Sequence, residues 1–191
     1  MKEIFEDERF TWEHCIHNKS WDKDREIVFW DHLKQFVDKP CKYLEIGILE
    51  GASFLWMLTN ILTHPNSRVT ACDAQFRPPF LHNCSQLLMS DICKITMITG
   101  NSNRTLRTIS NMFDVIYIDG NHHQKYVITD AVLSFELLSL GGYLIFDDYP
   151  YSINGKTPGI AIDAFLETHA DEIEVIHKDW IVIVQKKLKN E

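Results

Sequence analysis

Short apolar runs alternate with amphipathic stretches along most of the chain. Residues 42–46, 68–72, 95–99, 115–118 and 143–146 are rich in β-branched or aromatic side chains and read as buried strands. Between them, residues 53–62, 80–90, 105–110 and 126–140 carry apolar positions at helical spacing. In the last stretch Val127, Ala131, Leu133, Phe135, Leu137 and Leu138 form a broad apolar face. Strict alternation of strand and helix predicts a parallel sheet covered on both faces. Residues 173–177 and 181–185 read as two more strands, separated only by Lys178-Asp179-Trp180. That connection is too short for a parallel crossover, so the two are expected as an antiparallel pair at one edge of the sheet. Ahead of the first strand, residues 24–37 read as a helix closed by Lys39-Pro40. No repeat or Pro/Gly/Ser-rich linker interrupts the pattern. One domain over residues 1–191 is therefore expected, with residues 1–40 as a helical lid or substrate region and 41–191 as the α/β core.

Composition narrows the function classes. The 191 residues suffice for a single core, and 45% hydrophobic with 24% charged residues is ordinary for a globular protein. No apolar run approaches the ~18 residues of a membrane span. The opening residues 1–8 are mostly acidic and lack a signal peptide's basic start, so the expected location is the cytoplasm. A formal net charge of -8 argues against a nucleic-acid backbone as partner. The five cysteines contain no C-x-x-C pair, and two sit beside predicted strands, as buried thiols in a reducing compartment would. His14-Cys15-Ile16-His17 lacks a second ligand cluster at zinc spacing and is not read as a metal site.

The few glycines point to one edge of the sheet. Gly47, Gly100 and Gly120 follow predicted strands, Gly51 opens a helix, and Gly141-Gly142 ends one. The strand-end group marks the carboxyl edge, where open α/β sheets bind ligands. In Tyr43-Leu-Glu-Ile-Gly-Ile-Leu-Glu-Gly-Ala-Ser53, Gly47 allows a tight turn and Gly51 is expected to allow close helix-to-strand packing. The G-x-x-x-G spacing departs from the dinucleotide fingerprint, which disfavours a nicotinamide oxidoreductase. Asp73 ends the next strand, where a carboxylate can accept hydrogen bonds from ribose hydroxyls. Gly100-Asn-Ser102 ends the third. Asp119, in Asp-Gly-Asn-His122, ends the fourth strand, and Asp147-Asp148 end the fifth. Three converging carboxylates repel one another unless a cation or proton intervenes, and all-oxygen ligation selects a hard ion such as Mg²⁺, Mn²⁺ or Ca²⁺.

From about residue 43 to 184 the chain resembles the class I S-adenosylmethionine (SAM)-dependent methyltransferases. Within them it is most similar to the metal-dependent O-methyltransferases of the catechol and caffeoyl-coenzyme A type and their macrocin-type sugar relatives. The Leu-Glu-Ile-Gly…Gly-Ala-Ser, Asp-Gly-Asn-His, Gly-Gly-Tyr-Leu-Ile-Phe-Asp-Asp-Tyr and Pro158-Gly-Ile-Ala-Ile-Asp-Ala-Phe165 segments carry the resemblance in the right order. It implies a Rossmann-like, mostly parallel seven-stranded sheet whose last strand is antiparallel. It implies SAM as cofactor, with Glu45, Gly47 and Ser53 around its methionine end, Asp73 on the ribose and Ser102 on the adenine side, and Gly51 also among the cofactor-binding residues. Asp119 would serve both SAM and a divalent cation, most naturally Mg²⁺, completed by Asp147 and Asp148. The second of that pair is Asn in the catechol branch, so two Asp match the macrocin branch. Where the catechol branch has a lysine base three residues after the first metal Asp, this chain has His122.

The expected reaction is direct in-line methyl transfer to a small-molecule hydroxyl of a sugar or aromatic acceptor, with neither nucleic acid nor membrane as partner and a homodimer left open. His122 is the candidate proton acceptor, since an imidazole titrates near neutral pH; His123 is expected to point elsewhere. Phe10, Trp12, Trp21 and Trp30 are candidates for the acceptor pocket, against the plainer role of core packing. The rival readings are a metal-independent N- or C-methyltransferase and a SAM-binding protein without catalysis.

Overall fold

The computed structural model describes residues 21–188. Seven strands form one sheet: β1 (Lys42–Ile46), β2 (Arg68–Asp73), β3 (Ile95–Thr99), β4 (Phe113–Ile118), β5 (Leu138–Phe146), β6 (Ile173–Lys178) and β7 (Val182–Lys186). Their order is β3-β2-β1-β4-β5-β7-β6. The first five run parallel, and β7 pairs antiparallel with both β5 and β6. The helices are α1 (Lys23–Leu33), α2 (Ala52–Trp56), α3 (Pro78–Ser85), α4 (Met89–Ile92), α5 (Ser102–Thr105), α6 (Gln124–Leu137) and α7 (Pro158–Thr168).

Strand alternation sorts the core into two layers. Tyr43, Val115, Tyr117, Ile145 and Ile183 face one side, where Phe29 and Leu33 of α1, Phe54 and Trp56 of α2, and Phe80 of α3 cover them. Leu44, Ile116, Leu144, Phe146 and Val184 face the other, under Ala131 and Phe135 of α6 and Ile162 and Phe165 of α7. Cys41 and Cys72 are buried thiols, whereas Cys93 is exposed.

Several expectations needed correction. The helix over 126–140 ends at Leu137, and Leu138–Leu140 open β5 instead. Gly141-Gly142 therefore lie within a strand. Opposite β4 the register jumps from Phe113↔Leu138 to Val115↔Tyr143, so residues 139–142 bulge outward, with Gly141 at φ +76°. A side chain at Gly142 would meet the carbonyls of Asp114 and Ser139 at 2.9 Å. Second, β3 is an edge strand rather than a buried one, and its Met97 is exposed. Third, Gly51 (φ +82°) faces the ring of Phe80 on α3, which a Cβ would approach to 2.5 Å. The close approach is between helices, not helix to strand. The helix expected over 80–90 is split into α3 and α4, and the one over 53–62 is α2 followed by a π-turn, Met57–Ile61.

Candidate active site

The carboxyl ends of the central strands are laced together by backbone bonds. Gly47 N–H donates to Cys72 O (2.9 Å), Gly100 N–H to Asp73 O (2.8 Å), Asp119 N–H to Ile46 O (2.8 Å) and Asp147 N–H to Ile118 O (3.1 Å). Gly47 sits at φ +88°, and any Cβ there would lie 2.7 Å from the Cα of Gly120, so only glycine fits between the two loops. A cleft of about 430 Å³ opens along this edge, lined by Gly47, Asp73, Arg77, Ser102, Asp119 and His122 among others. A smaller hollow adjoins it, sharing Ile48, Leu49 and Asp119 and bounded by Trp21, Arg25, Gly51, Ser53 and Asp147.

Asp73 accepts the backbone N–H of Ile48 (2.7 Å) and of Gln75 (2.9 Å), one on each carboxylate oxygen. Each oxygen keeps a further lone pair for a ligand hydroxyl. Ser102 opens α5 and lines the cleft; burial pushes the nearby carboxyl of Asp130 up to about 6, with Ser102 opposing. Asp130 was not singled out in the sequence, where it is one polar position on the apolar face of a helix. Glu45 is fully buried below the smaller hollow, accepting from Tyr43 Oη and Ser53 Oγ, each at 2.5 Å. Burial drives its pKa up to about 8 against the pull of those two bonds.

Asp119, His122 and Asp148 converge, with one potential ligand atom from each lying within 4.8 Å of the others. His122 Nε2 is hydrogen-bonded to Asp148 Oδ2, and its ring packs on Tyr151 at 4.9 Å. Asp148 adopts a left-handed backbone at φ +57°, the kind of local strain that tertiary contacts hold in place at functional sites. Asp147, expected with these residues, lines one hollow with them but is not in the three-residue cluster, and its oxygens have other partners. It takes the Tyr117 hydroxyl (2.5 Å) and Arg25 Nε (3.4 Å) on Oδ2, and the Asp148 N–H (2.7 Å) on Oδ1. The electrostatics follow from this arrangement. Burial and the charges of Asp147, Asp148 and Glu45 hold Asp119 well above the usual carboxylate range. Burial also raises Asp147, with Arg25 and Tyr117 opposing. Burial works to raise Asp148 as well, but His122, the Trp180 indole and Arg25 outweigh it and lower the group.

Arg25 and Trp180 escaped the sequence reading, because each reaches the acids from an element distant in the chain. Trp180 sits in the β6–β7 turn and donates its indole N–H to Asp148 Oδ1 (3.3 Å). Of the aromatics expected around an acceptor, Trp21 packs on Phe29 and Trp56, and Trp30 packs against the same core. Phe10, Trp12 and the His14–His17 segment lie outside the described residues. His123 is exposed and precedes α6, away from the cleft.

A family model for a methyltransferase domain matches residues 44–149, more than half of the chain. The chain belongs to this methyltransferase family. The matched span runs from β1 to the turn after Asp147-Asp148, so it contains Asp73, Asp119, His122 and both acids of the pair. The chain is 43% identical over 119 residues to an uncharacterized protein of Acanthamoeba polyphaga mimivirus, covering 56% of this chain. It spans about half (51%) of that curated relative's length. Among solved structures it is similar to the O-methyltransferase from Bacillus cereus in complex with S-adenosylhomocysteine (TM-score 0.70, 18% identity, 92% of this chain and 85% of that one). It also resembles the MycE methyltransferase of mycinamycin biosynthesis, in complex with Mg, S-adenosylhomocysteine and mycinamycin VI (TM-score 0.65, 16% identity, 86% of this chain and 50% of that one). A third neighbour, from Clostridium thermocellum, is named for rRNA methylation (TM-score 0.69, 16% identity, 87% of this chain and 99% of that one). At these identities the likeness is one of fold, a seven-stranded Rossmann-like sheet with an antiparallel terminal hairpin.

Proposed function

We propose that this methyltransferase uses SAM to methylate a hydroxyl of a small acceptor bearing adjacent oxygens, a sugar or an aromatic diol, with a divalent cation at Asp119, His122 and Asp148. The observation that carries it is the convergence of those three side chains, two of which, Asp119 and His122, line the cleft that also presents Asp73. SAM supplies a methyl group activated by a positive sulfur, so the C–S bond breaks as the new C–O bond forms and the acceptor's proton is lost. The chain's task is to hold the two reactants in line and to promote that proton loss. Asp73 has the lone pairs to accept both ribose hydroxyls, Ser102 stands at the adenine end, and Ser53 and Glu45 lie at the other end. The donor set fits a divalent cation: two carboxylates and an imidazole suit Mn²⁺ as well as Mg²⁺. A cation would also relieve the repulsion that raises Asp119. Held by Asp119, His122 and Asp148, such a cation would supply Lewis acidity toward an acceptor hydroxyl. His122, with Asp148 against its ring nitrogen, is oriented to hold either the cation or the acceptor's proton. The net charge of -8 favours a small acceptor over a nucleic acid.

The test is methyl transfer from SAM to catechol and to glycoside diols, with and without chelator. Activity is expected to vanish in EDTA and return with Mg²⁺ or Mn²⁺, and Asp148→Asn is expected to lose activity while SAM binding survives. Undiminished transfer in EDTA would overturn the metal assignment in favour of metal-free methylation.

A further inference from the structure

The small hollow beside the main cleft has an unusual charge pattern. Asp119 and Asp147 line it and Glu45 lies beneath, yet Arg25 of α1 also reaches it, the one basic side chain among its described lining residues. Asp147 does not depend on that cation for its hydrogen bonds. Its Oδ2 is already bonded to Tyr117 at 2.5 Å and its Oδ1 to the Asp148 N–H at 2.7 Å, while Arg25 Nε approaches only to 3.4 Å. The guanidinium is instead held at three points. Nε faces Asp147, Nη1 donates to Asp22 at 3.2 Å, and the group lies 5.7 Å from the Trp180 ring centroid. Nη2 has no hydrogen-bond partner among the described residues. Among the described residues the result is a positioned, mostly covered cation (side chain 15% exposed) with donor capacity left over, lining a hollow that adjoins the Asp73 cleft.

We propose that Arg25 recognises the α-carboxylate of SAM, an assignment that rests on the SAM reading above. The amino-acid end of that molecule carries a carboxylate beside two cationic groups, the α-ammonium and the sulfonium. The hollow offers the complementary set: acids for the two cations and one guanidinium for the anion. A guanidinium meets a carboxylate with paired donors, which gives it geometric selectivity as well as charge. Arg25 is thus a residue of cofactor specificity, selecting the intact amino acid over analogues without its carboxylate. α1 becomes part of the cofactor site rather than only a cover for the core.

The decisive comparison is calorimetric binding of SAM and of decarboxylated SAM to wild type, Arg25→Met and Arg25→Lys. Wild type is expected to prefer SAM by about 10- to 100-fold, the range for one hydrogen bond between charged groups. Arg25→Met should lose that preference, weakening SAM by the same factor while changing decarboxylated SAM less than about threefold; Arg25→Lys should restore part of it. Equal weakening of both ligands would mean that Arg25 only supports the site, and equal affinity of wild type for both would remove the assignment at once. Wild type binding neither ligand would instead refute the SAM reading, and this proposal with it. Should Arg25→Met fail to fold, the wild-type and Arg25→Lys preferences still decide.

Discussion

Glu45 is a buried acid whose oxygens both meet hydroxyl groups, and its pKa lies at about 8. In the unfolded chain it would release its proton near ~4.3. Between those values the folded protein binds the extra proton, so this contribution to stability is complete at acidic pH and lost as pH rises through about 8. Asp119 is shifted in the same direction, so the informative quantity is a difference between variants. The melting temperature of wild type is expected to fall more steeply from pH 5 to pH 8 than that of Glu45→Gln. Parallel curves would show that Glu45 ionises normally. His122 separates two roles. As a proton acceptor alone, His122→Ala would slow methyl transfer by about 10²- to 10⁴-fold and leave metal affinity intact. As a ligand it would also lose Mn²⁺ affinity, by about tenfold or more. The cluster with Asp119 and Asp148 predicts the second outcome, read by calorimetry with Mn²⁺ alone.

Among the elements, the β1–α2 loop shows how far local chemistry reaches. That Gly47 and Gly51 occur in a strand–turn–helix segment was legible, because positive φ is a local demand that glycine meets. What each glycine makes room for was not: the Asp119–Gly120 backbone in one case and the Phe80 ring in the other. Gly51→Ala is expected to cost about 2–4 kcal/mol in a denaturant titration, from the left-handed backbone and the overpacked ring together. Combining it with Phe80→Leu should cost less than the two changes summed, since the smaller side chain relieves the clash but not the backbone strain. Full additivity would show that the ring contact is unimportant. The misread end of α6 has a similar cause. Leu137, Leu138 and Leu140 suit a helix face and a buried strand equally, and the bulge opposite Asp114 decided for the strand.

For the whole molecule, the site spans elements from both ends of the described chain. α1 brings Arg25, the central strands bring Asp73, Asp119 and the Asp147-Asp148 pair, and the terminal hairpin brings Trp180. Ligand binding should therefore stabilise the fold as a unit. SAM or S-adenosylhomocysteine at ~100 times its dissociation constant is expected to add about 2.7 kcal/mol, seen as a raised melting temperature, whereas NAD should have no effect. Stabilisation by NAD and not by SAM would reverse the cofactor assignment. Within the described residues no helix is long and apolar enough to cross a membrane.

Sequence alone determined the alternation of strands and helices, the antiparallel closing hairpin, and the placing of Asp73, Asp119, Asp147 and Asp148 at strand ends. Each of these follows from a repeat of two or 3.6 residues, from a turn residue, or from a connection too short to cross over, all of which are local properties. Only the tertiary structure decided the order β3-β2-β1-β4-β5-β7-β6, and with it which side chains meet. Two neighbouring aspartates came out with different partners, Asp147 with Tyr117 and Arg25, Asp148 with His122 and Trp180. Adjacent residues point their side chains in different directions, and the groups that receive them come from segments up to 122 positions away. No periodicity along the chain encodes a pairing of that kind; it arises when the sheet brings those segments to one edge.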